Sequence, residues 1–343
     1  MKKYATIKDI AKALNISVAT VSRALADRWD VNPSTKKLVK EEAERQNYKP
    51  NPIATRLQNK RTKTIGVVVP EFKSSFFPNI ILGIQNILDE AGFQLLIAQS
   101  NESMANEEKI LKLFEGNMVE GILVSINQEQ DNINLYNKII NSGIPIVFFN
   151  RVSATTLASK VVIDNYKMAF FATEHLIYNK FEKIIHFAGP ASLKITQERK
   201  KGFEDAMKKH HRVLTSNSII DTGIMSEQGH SAMKKLIEES NIPDAIFCFN
   251  DPVAFGALKA LKESNITCPD TVALVGFSET EMAQLVEPPL TSVEQPTFKM
   301  GETAANILLE QIELTNEQQN INFETTSLTA HLHVRKSSIN KKI

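Results

Sequence analysis

The chain has 343 residues, 42% apolar and 23% charged, the balance of a globular protein large enough for two or three units. No run of about 18 apolar residues occurs, which excludes a helical membrane span, and MKKYATIKDIAKAL has no apolar stretch after its lysines, so no secretory leader is expected. The net charge of +1 hides an asymmetry: residues 1–63 hold 15 Lys and Arg against 6 Asp and Glu, while the rest holds 25 against 33. A basic head on an acidic body suggests a polyanionic partner for the head alone.

The first predicted elements are three short helices. Thr6-Ile7-Lys8-Asp9 is a capping-box pattern, and Ile7, Ile10, Ala11 and Leu14 then recur at helical spacing. After a turn at Asn15 and Ile16, Ser17 is a good N-cap for a second helix. Val21, Ala24 and Leu25 share its inner face; Val18, Ala19, Ser22 and Arg23 share the outer one. Asn32 or Ser34 starts a third helix, in which Leu38, Val39, Glu42 and Ala43 alternate between apolar and solvated faces. This is the helix-turn-helix plan, whose second helix enters the DNA major groove by its N-terminal residues. Small side chains there let the backbone approach. Val18 and Ala19 can touch thymine methyls, Thr20 and Ser22 can bond phosphates or bases, and Arg23 can pair with guanine. A small-residue packing helix in an all-helical bundle is the alternative.

Next comes YKPNPIATRLQNKRTKT. Asn51 can cap and Pro52 sits at the first helical position, yet the helix is too short to be stable alone. Its one large apolar residue, Leu57, stands among Arg56, Lys60 and Arg61, which suits a wedge in a minor groove. A plain linker with one incidental leucine is the alternative.

Together ATIKDIAKALNISVATVSRAL, NPSTKKLVKEEAERQNYKPNPIATRL and TIGVVVPEF resemble the lac/galactose repressor family of bacterial transcription regulators. The resemblance covers essentially the whole chain. It implies a helix-turn-helix domain over 1–50, a hinge helix and linker over 51–63, and an effector-binding and dimerising body over 64–343. It implies DNA contacts from Thr6, Ser17, Val18, Ala19, Thr20, Ser22, Arg23, Asn32, Tyr48, Asn51, Ala54 and Leu57, with Leu57 intercalating at a central CpG step. Ala26 departs from the family's usual Asn, and Trp29 and Asp30 are unusual in their loop.

In the body, strand candidates begin at Thr64, Phe93, Gly121, Ile144, Val161, Lys183, Ala245 and Val272. Most are near-continuous Val/Ile/Phe runs, as parallel strands buried on both faces require. They alternate with amphipathic helices such as FPNIILGIQNILDEAG and FGALKALKESN, so the fold class is an all-α head followed by an α/β body of doubly wound lobes. By resemblance the body is periplasmic-binding-protein-like, with lobes of about 64–162 plus 292–322 and 163–291 plus 323–343. Cys248 and Cys268 lie among apolar residues, as free thiols of a cytoplasmic protein do.

Ligands of such sheets bind beyond the carboxyl ends of strands. That rule selects Ser74 to Phe77, Asn150, Arg151, Asp164, Asn250, Asp251, Ser278 and Glu279. Asp251, before Pro252, reads as an N-cap. The resemblance places Phe77, Asn150, Arg199, Asn250, Ser278 and Gln295 in an effector cleft, with Ile224 where sugar-binding members carry an aromatic. Phe76 and Arg151 join them by position. Ser278 replaces a common family Asp, which tilts the ligand from a neutral sugar toward a sugar acid or sugar phosphate.

No Walker loop, nucleophile elbow, HExxH or CxxC pair occurs, so an enzyme is not expected, nor a cofactor or metal. The body alone would suit an exported solute-binding protein, but that has no use for a basic head. A regulator whose effector is another protein is a third possibility. The reading preferred is a cytoplasmic homodimeric repressor that binds a near-palindromic operator and a small sugar-derived effector. Leu57→Ala is then expected to weaken binding to a bent operator, measured by gel shift on specific and random duplexes. Unaltered specific binding would count against the wedge.

Overall fold

Three helices build the amino-terminal part of the computed structural model, which describes residues 5–48, 62–128 and 132–340. Helix α1, Ile7–Leu14, starts where Thr6 donates from its backbone N and its Oγ1 to Asp9 Oδ2, at 2.8 and 2.7 Å. It stops at Asn15, whose left-handed φ of 52° turns the chain. Helix α2, Val18–Leu25, is capped by Ser17 Oγ, which accepts from Thr20 N at 3.0 Å. Helix α3, Pro33–Arg45, is capped by Asn32, which accepts from Ser34 N at 3.0 Å. Ile10, Val21, Ala24 and Val39 are wholly buried between the three. On α3 the inward face is Val39, Glu42 and Ala43, while Leu38 is exposed. Glu42 tolerates that position because Arg45 and Gln46 hydrogen-bond its carboxylate, holding its pKa down at about 2. The hinge helix expected over 51–63, with Asn51, Ala54 and Leu57, lies almost wholly outside the described residues.

The chain divides into two units, Met1–Thr62 and Lys63–Ile343. The second holds two six-stranded sheets. The first sheet contains β1 (Thr64–Val69), β2 (Gln94–Gln99), β3 (Gly121–Val124), β4 (Ile146–Phe149) and β5 (Ser159–Ile163). The second contains β6 (Ile184–Ala188), β7 (Ile219–Asp221), β8 (Ala245–Cys248), β9 (Ala273–Ser278) and β10 (Thr291–Glu294). The last strands, β11 (Thr325–Leu328) and β12 (His331–His333), are shared out one to each sheet. The orders are β11-β5-β4-β3-β1-β2 and β12-β10-β9-β8-β6-β7. Every pairing is parallel except that of β12 with β10. Between the strands lie α4 (Phe76–Glu90), α5 (Met104–Gly116), α6 (Ile133–Asn141), α7 (Asn165–Tyr178) and α8 (Lys194–Lys209). Further along come α9 (Ser226–Glu238), α10 (Asp251–Glu263), the short α11 (Met282–Leu285) and α12 (Thr297–Asn316).

Seven of the eight apolar runs contain a strand, and the run from Val161 holds the end of one, Ser159–Ile163. The chain passes between the sheets three times, and two passages differ in place from the lobe bounds that the resemblance implied. The first is at Asp164, between β5 and α7. The second is at Gln295 and Pro296, not near residue 291, because Thr291–Glu294 pairs with β9 before leaving. The third is at Thr329 and Ala330, not near residue 323, because Thr325–Leu328 adds to β5 first. TSVE and TTSL carry one large apolar residue each, so neither announces a strand.

His186 lies wholly buried in β6, stacked on Phe247 at 4.7 Å. Its Nδ1 sits 2.9 Å from the Phe247 carbonyl and therefore carries the proton; its Nε2 has no partner. Burial pushes its pKa down to about 4, against 6.5 in an unfolded chain. The unfolded state therefore gains a proton first as pH falls. The His186 contribution is intact above pH 6.5 and is lost toward pH 4, about 3 kcal/mol in all. Urea titrations at pH 7 and pH 4 should show His186→Phe losing less stability on acidification than the parent. Equal losses would assign the acid sensitivity elsewhere.

Candidate effector cleft and DNA-reading face

On the head, Val18, Ala19 and Arg23 point outward from α2, with Thr20 and Ser22 half-buried beside them. Ser17 Oγ and Thr20 Oγ1 lie 2.8 Å apart, so the capping hydroxyls also hold each other. Thr6 and Asn32 are exposed at the starts of α1 and α3, and Tyr48 is half-buried against the head core. Arg23 reaches back to the Ala19 carbonyl from Nε at 3.4 Å and pairs through Nη1 with Asp30 at 3.2 Å. Both partners of that pair are exposed, so it is worth at most about 1 kcal/mol and can yield to a base. The unusual Asp30 thus has a concrete role in the free head: it holds the arginine fork.

In the body, the carboxyl ends of β1, β4, β8, β9 and β10 open on one cavity of about 260 Å³. All nine residues singled out as effector contacts line it: Phe76, Phe77, Asn150, Arg151, Arg199, Ile224, Asn250, Ser278 and Gln295. Phe76 and Phe77 open α4, their rings edge to face with centroids 5.1 Å apart. Asn150 ends β4 with a left-handed φ of 58°, a turn that Asn accepts more readily than most residues. Gln295, on the second passage between sheets, has a buried Oε1 without a partner.

Arg199 dominates the electrostatics. Its Nε and Nη2 donate to Asn165 Oδ1 at 3.0 and 2.9 Å, and Nη1 donates to the Phe249 carbonyl at 2.6 Å. The guanidinium carbon lies 3.6 Å from the Phe277 ring centre and 4.7 Å from that of Phe249. Among the described residues no carboxylate forms an ion pair with it. Only 2% of the residue is exposed, and burial drives its pKa down to about 9. The Arg-x-x-Gly spacing has a packing reason here. A Cβ at Gly202 would sit 2.3 Å from the Tyr166 carbonyl, so only glycine lets α8 close on α7 and bring Arg199 to Asn165. Arg151 differs: its Nη1 is bound by both oxygens of Glu102, at 3.0 and 2.8 Å, so most of its charge is spent.

Three strand-end acids behave otherwise than their positions suggest. Asn250 caps α10, accepting from Val253 N at 2.9 Å. Asp251 is instead wholly buried, accepting from Ser292 Oγ at 2.5 Å and from Thr280 N and Oγ1 at 2.7 and 3.1 Å. Burial raises its pKa to about 6. These bonds tie the turn after β9 to β10 and thereby fix Ser278, whose φ of 136° is strained for a residue with a side chain. Glu279 turns away to Arg335, and Asp164 caps α7 through Lys167 N at 2.8 Å. Sequence reasoning missed several residues of the cavity wall, among them the carboxylates Glu71 and Glu227 and also Lys73, Met225, Phe249 and Thr280. Phe249 could have been found, as the residue between a strand and Asn250. His210 and His333 bond Glu174 and Glu294, and no metal-binding cluster occurs among the described residues.

Residues 6–51 match the model for bacterial regulatory proteins of the lacI family, and residues 173–338 match that for the periplasmic binding protein-like domain. HTH-type transcriptional repressor PurR of Photobacterium profundum is 30% identical over 334 residues, 97% of this chain and 98% of that protein. Catabolite control protein A of Priestia megaterium is 30% identical over 305 residues, covering 88% and 91%. The solved complex of the transcriptional regulator CelR with cellobiose is 29% identical with a TM-score of 0.73, covering 97% of this chain and 99% of that one.

Arg23→Ala should cost about 1–3 kcal/mol in affinity for a preferred duplex and relax base choice at one position per half-site. Binding to a library of single-base variants checks this. A uniform loss over all variants would make Arg23 a phosphate contact.

Proposed function

The chain belongs to the lacI family of bacterial regulatory proteins, DNA-binding transcriptional repressors with an effector-binding body, and we propose that its effector is a small sugar-derived anion. On this reading it represses carbohydrate-utilisation genes in the cytoplasm, as a homodimer on a near-palindromic operator. The supporting observation is Arg199: a guanidinium buried at the wall of the cleft, held by neutral groups alone, with Ser278 rather than a carboxylate across the same cavity. Glu71 and Glu227 also line this cavity, yet neither forms an ion pair with Arg199 among the described residues, so a ligand carboxylate or phosphate would be the partner it lacks. Phe76, Phe77 and Phe249 offer flat apolar faces to a ring.

Coupling follows from where the contacts stand. Phe76, Phe77, Asn150 and Arg151 belong to the first lobe; Arg199, Ile224, Asn250 and Ser278 belong to the second. A ligand touching both is bound most tightly at one angle between them. It therefore shifts the balance between lobe arrangements, and any difference in DNA affinity between those arrangements becomes its response. A neutral sugar is the second reading, favoured by the same aromatic faces; CelR was solved with cellobiose.

The test is a selection for preferred duplexes with the full chain, followed by affinity measurements with sugars, sugar acids and sugar phosphates. A near-palindrome should emerge, and one acidic sugar should change its affinity by roughly 5–150-fold. A duplex preference that no member of the panel alters would defeat the sugar-anion reading and leave the DNA-binding function standing.

A further inference from the structure

Beside Arg151 the space between the lobes includes a second chamber of about 170 Å³. It shares Asn150, Arg151 and Ile195 with the cleft but brings polar groups of its own: Lys160 on β5, Asn165 at the start of α7, and Lys194 and Glu198 on α8. The charges of this chamber do not balance. Arg151 pairs with Glu102 at 2.8 Å, and Lys194 with Glu198 at 3.7 Å. Lys160 forms no ion pair among the described residues. Burial, and after it the charge of Lys194 on the opposite lobe, lowers the pKa of Lys160. Each lobe thus presents an ammonium to the other.

Two further features favour a negative guest. Arg151 is 7% exposed, and although Glu102 holds its Nη1, its Nε is buried without a partner. Helix α8 begins at Lys194 behind Leu193, with no side-chain cap and no acid in its first turn, and Leu193, Lys194 and Ile195 all line the chamber. The positive end of a helix of 16 residues therefore stands uncompensated at the chamber wall.

We propose that this chamber is an oxyanion site, in which a phosphate or carboxylate group sits among Lys160, Lys194 and Arg151 and joins the two lobes. The proposal rests on the body being an effector sensor and adds a charge-reading subsite beside the cleft. The group is either a free ion or the charged end of the cleft ligand. Either source neutralises the repulsion between Lys160 and Lys194 and favours closer lobes. Asn165 links the two cavities, because it accepts from Arg199 and lines the chamber.

The experiment is thermal unfolding of the full chain at constant ionic strength. Inorganic phosphate is titrated against chloride, and ribose 5-phosphate against ribose. A saturable rise of roughly 2–4 °C is expected with at least one of the phosphates. It should vanish in Lys160→Gln, shrink in Lys194→Gln and survive in Lys160→Arg, which shows that charge and not folding is at issue. Ser278→Asp adds a carboxylate to the cleft and not to the chamber, so the inorganic phosphate response should survive it. A response to inorganic phosphate assigns the free ion; one to ribose 5-phosphate alone assigns the ligand's charged end. A rise undiminished in Lys160→Gln, or no saturable rise with either phosphate, overturns the proposal. A rise lost in Ser278→Asp but kept in Lys160→Gln puts the anion at Arg199, which removes the chamber and leaves the proposed function intact.

Discussion

A guanidinium taken out of water must be held by something, and the body is arranged around how Arg199 is held. Desolvating it unaided would cost several kcal/mol. The protein offsets that cost with an amide oxygen, a backbone carbonyl and two aromatic rings, none of which carries a charge. The charge is stabilised without being neutralised, in contrast to Arg151, which Glu102 largely neutralises. The close contact of α7 and α8 at Gly202 exists in the service of this arrangement, since it brings Asn165 to the fork. Phe277 and Phe249, on the neighbouring strand ends, complete the enclosure.

The same economy extends to the surrounding turns. Asp251 is a buried acid outside the cavity lining; its three hydrogen bonds fasten the strained turn at Ser278. A Cβ at Gly276 would meet its Oδ1 at 2.3 Å, so the glycine before Phe277 makes room for that carboxylate. The turn that brings Ser278 to the cavity wall is therefore fastened to α10 and β10. The three passages between lobes at Asp164, Gln295–Pro296 and Thr329–Ala330 are the places where motion can be absorbed. Gln295 belongs to both descriptions, as a cavity-lining side chain on a passage.

Much of this was legible in the sequence because the responsible forces are local. Caps at Thr6, Ser17 and Asn32 are set by residues within three positions, and the strands buried on both faces declare themselves by unbroken Val, Ile and Phe. Strand-end residues such as Phe76, Phe77, Asn150, Asn250 and Ser278 follow from those runs, whereas Arg199, Ile224 and Gln295 came from the family resemblance; all of them line the cavity. What escaped depends on distant partners. Glu102 and Arg151 are 49 residues apart, and Asp251 and Ser292 are 41 apart. No spacing rule predicts either bond, so Asp251 reads as a cap and the pairing of Arg151 goes unseen. TSVE and TTSL escaped for another reason: they are held by neighbouring strands more than by their own hydrophobicity, which displaced two passages by several residues.

The central claim is that Arg199 presents an unneutralised charge to the cleft, and calorimetry with a matched pair of ligands tests it most directly. A sugar acid and the corresponding neutral sugar, identical except for the carboxylate, would be titrated into the full chain at two salt concentrations. The account predicts that the acid binds at least tenfold more tightly and that Arg199→Gln abolishes the difference. Tight binding of the neutral sugar, with none of its acidic counterpart, would contradict it.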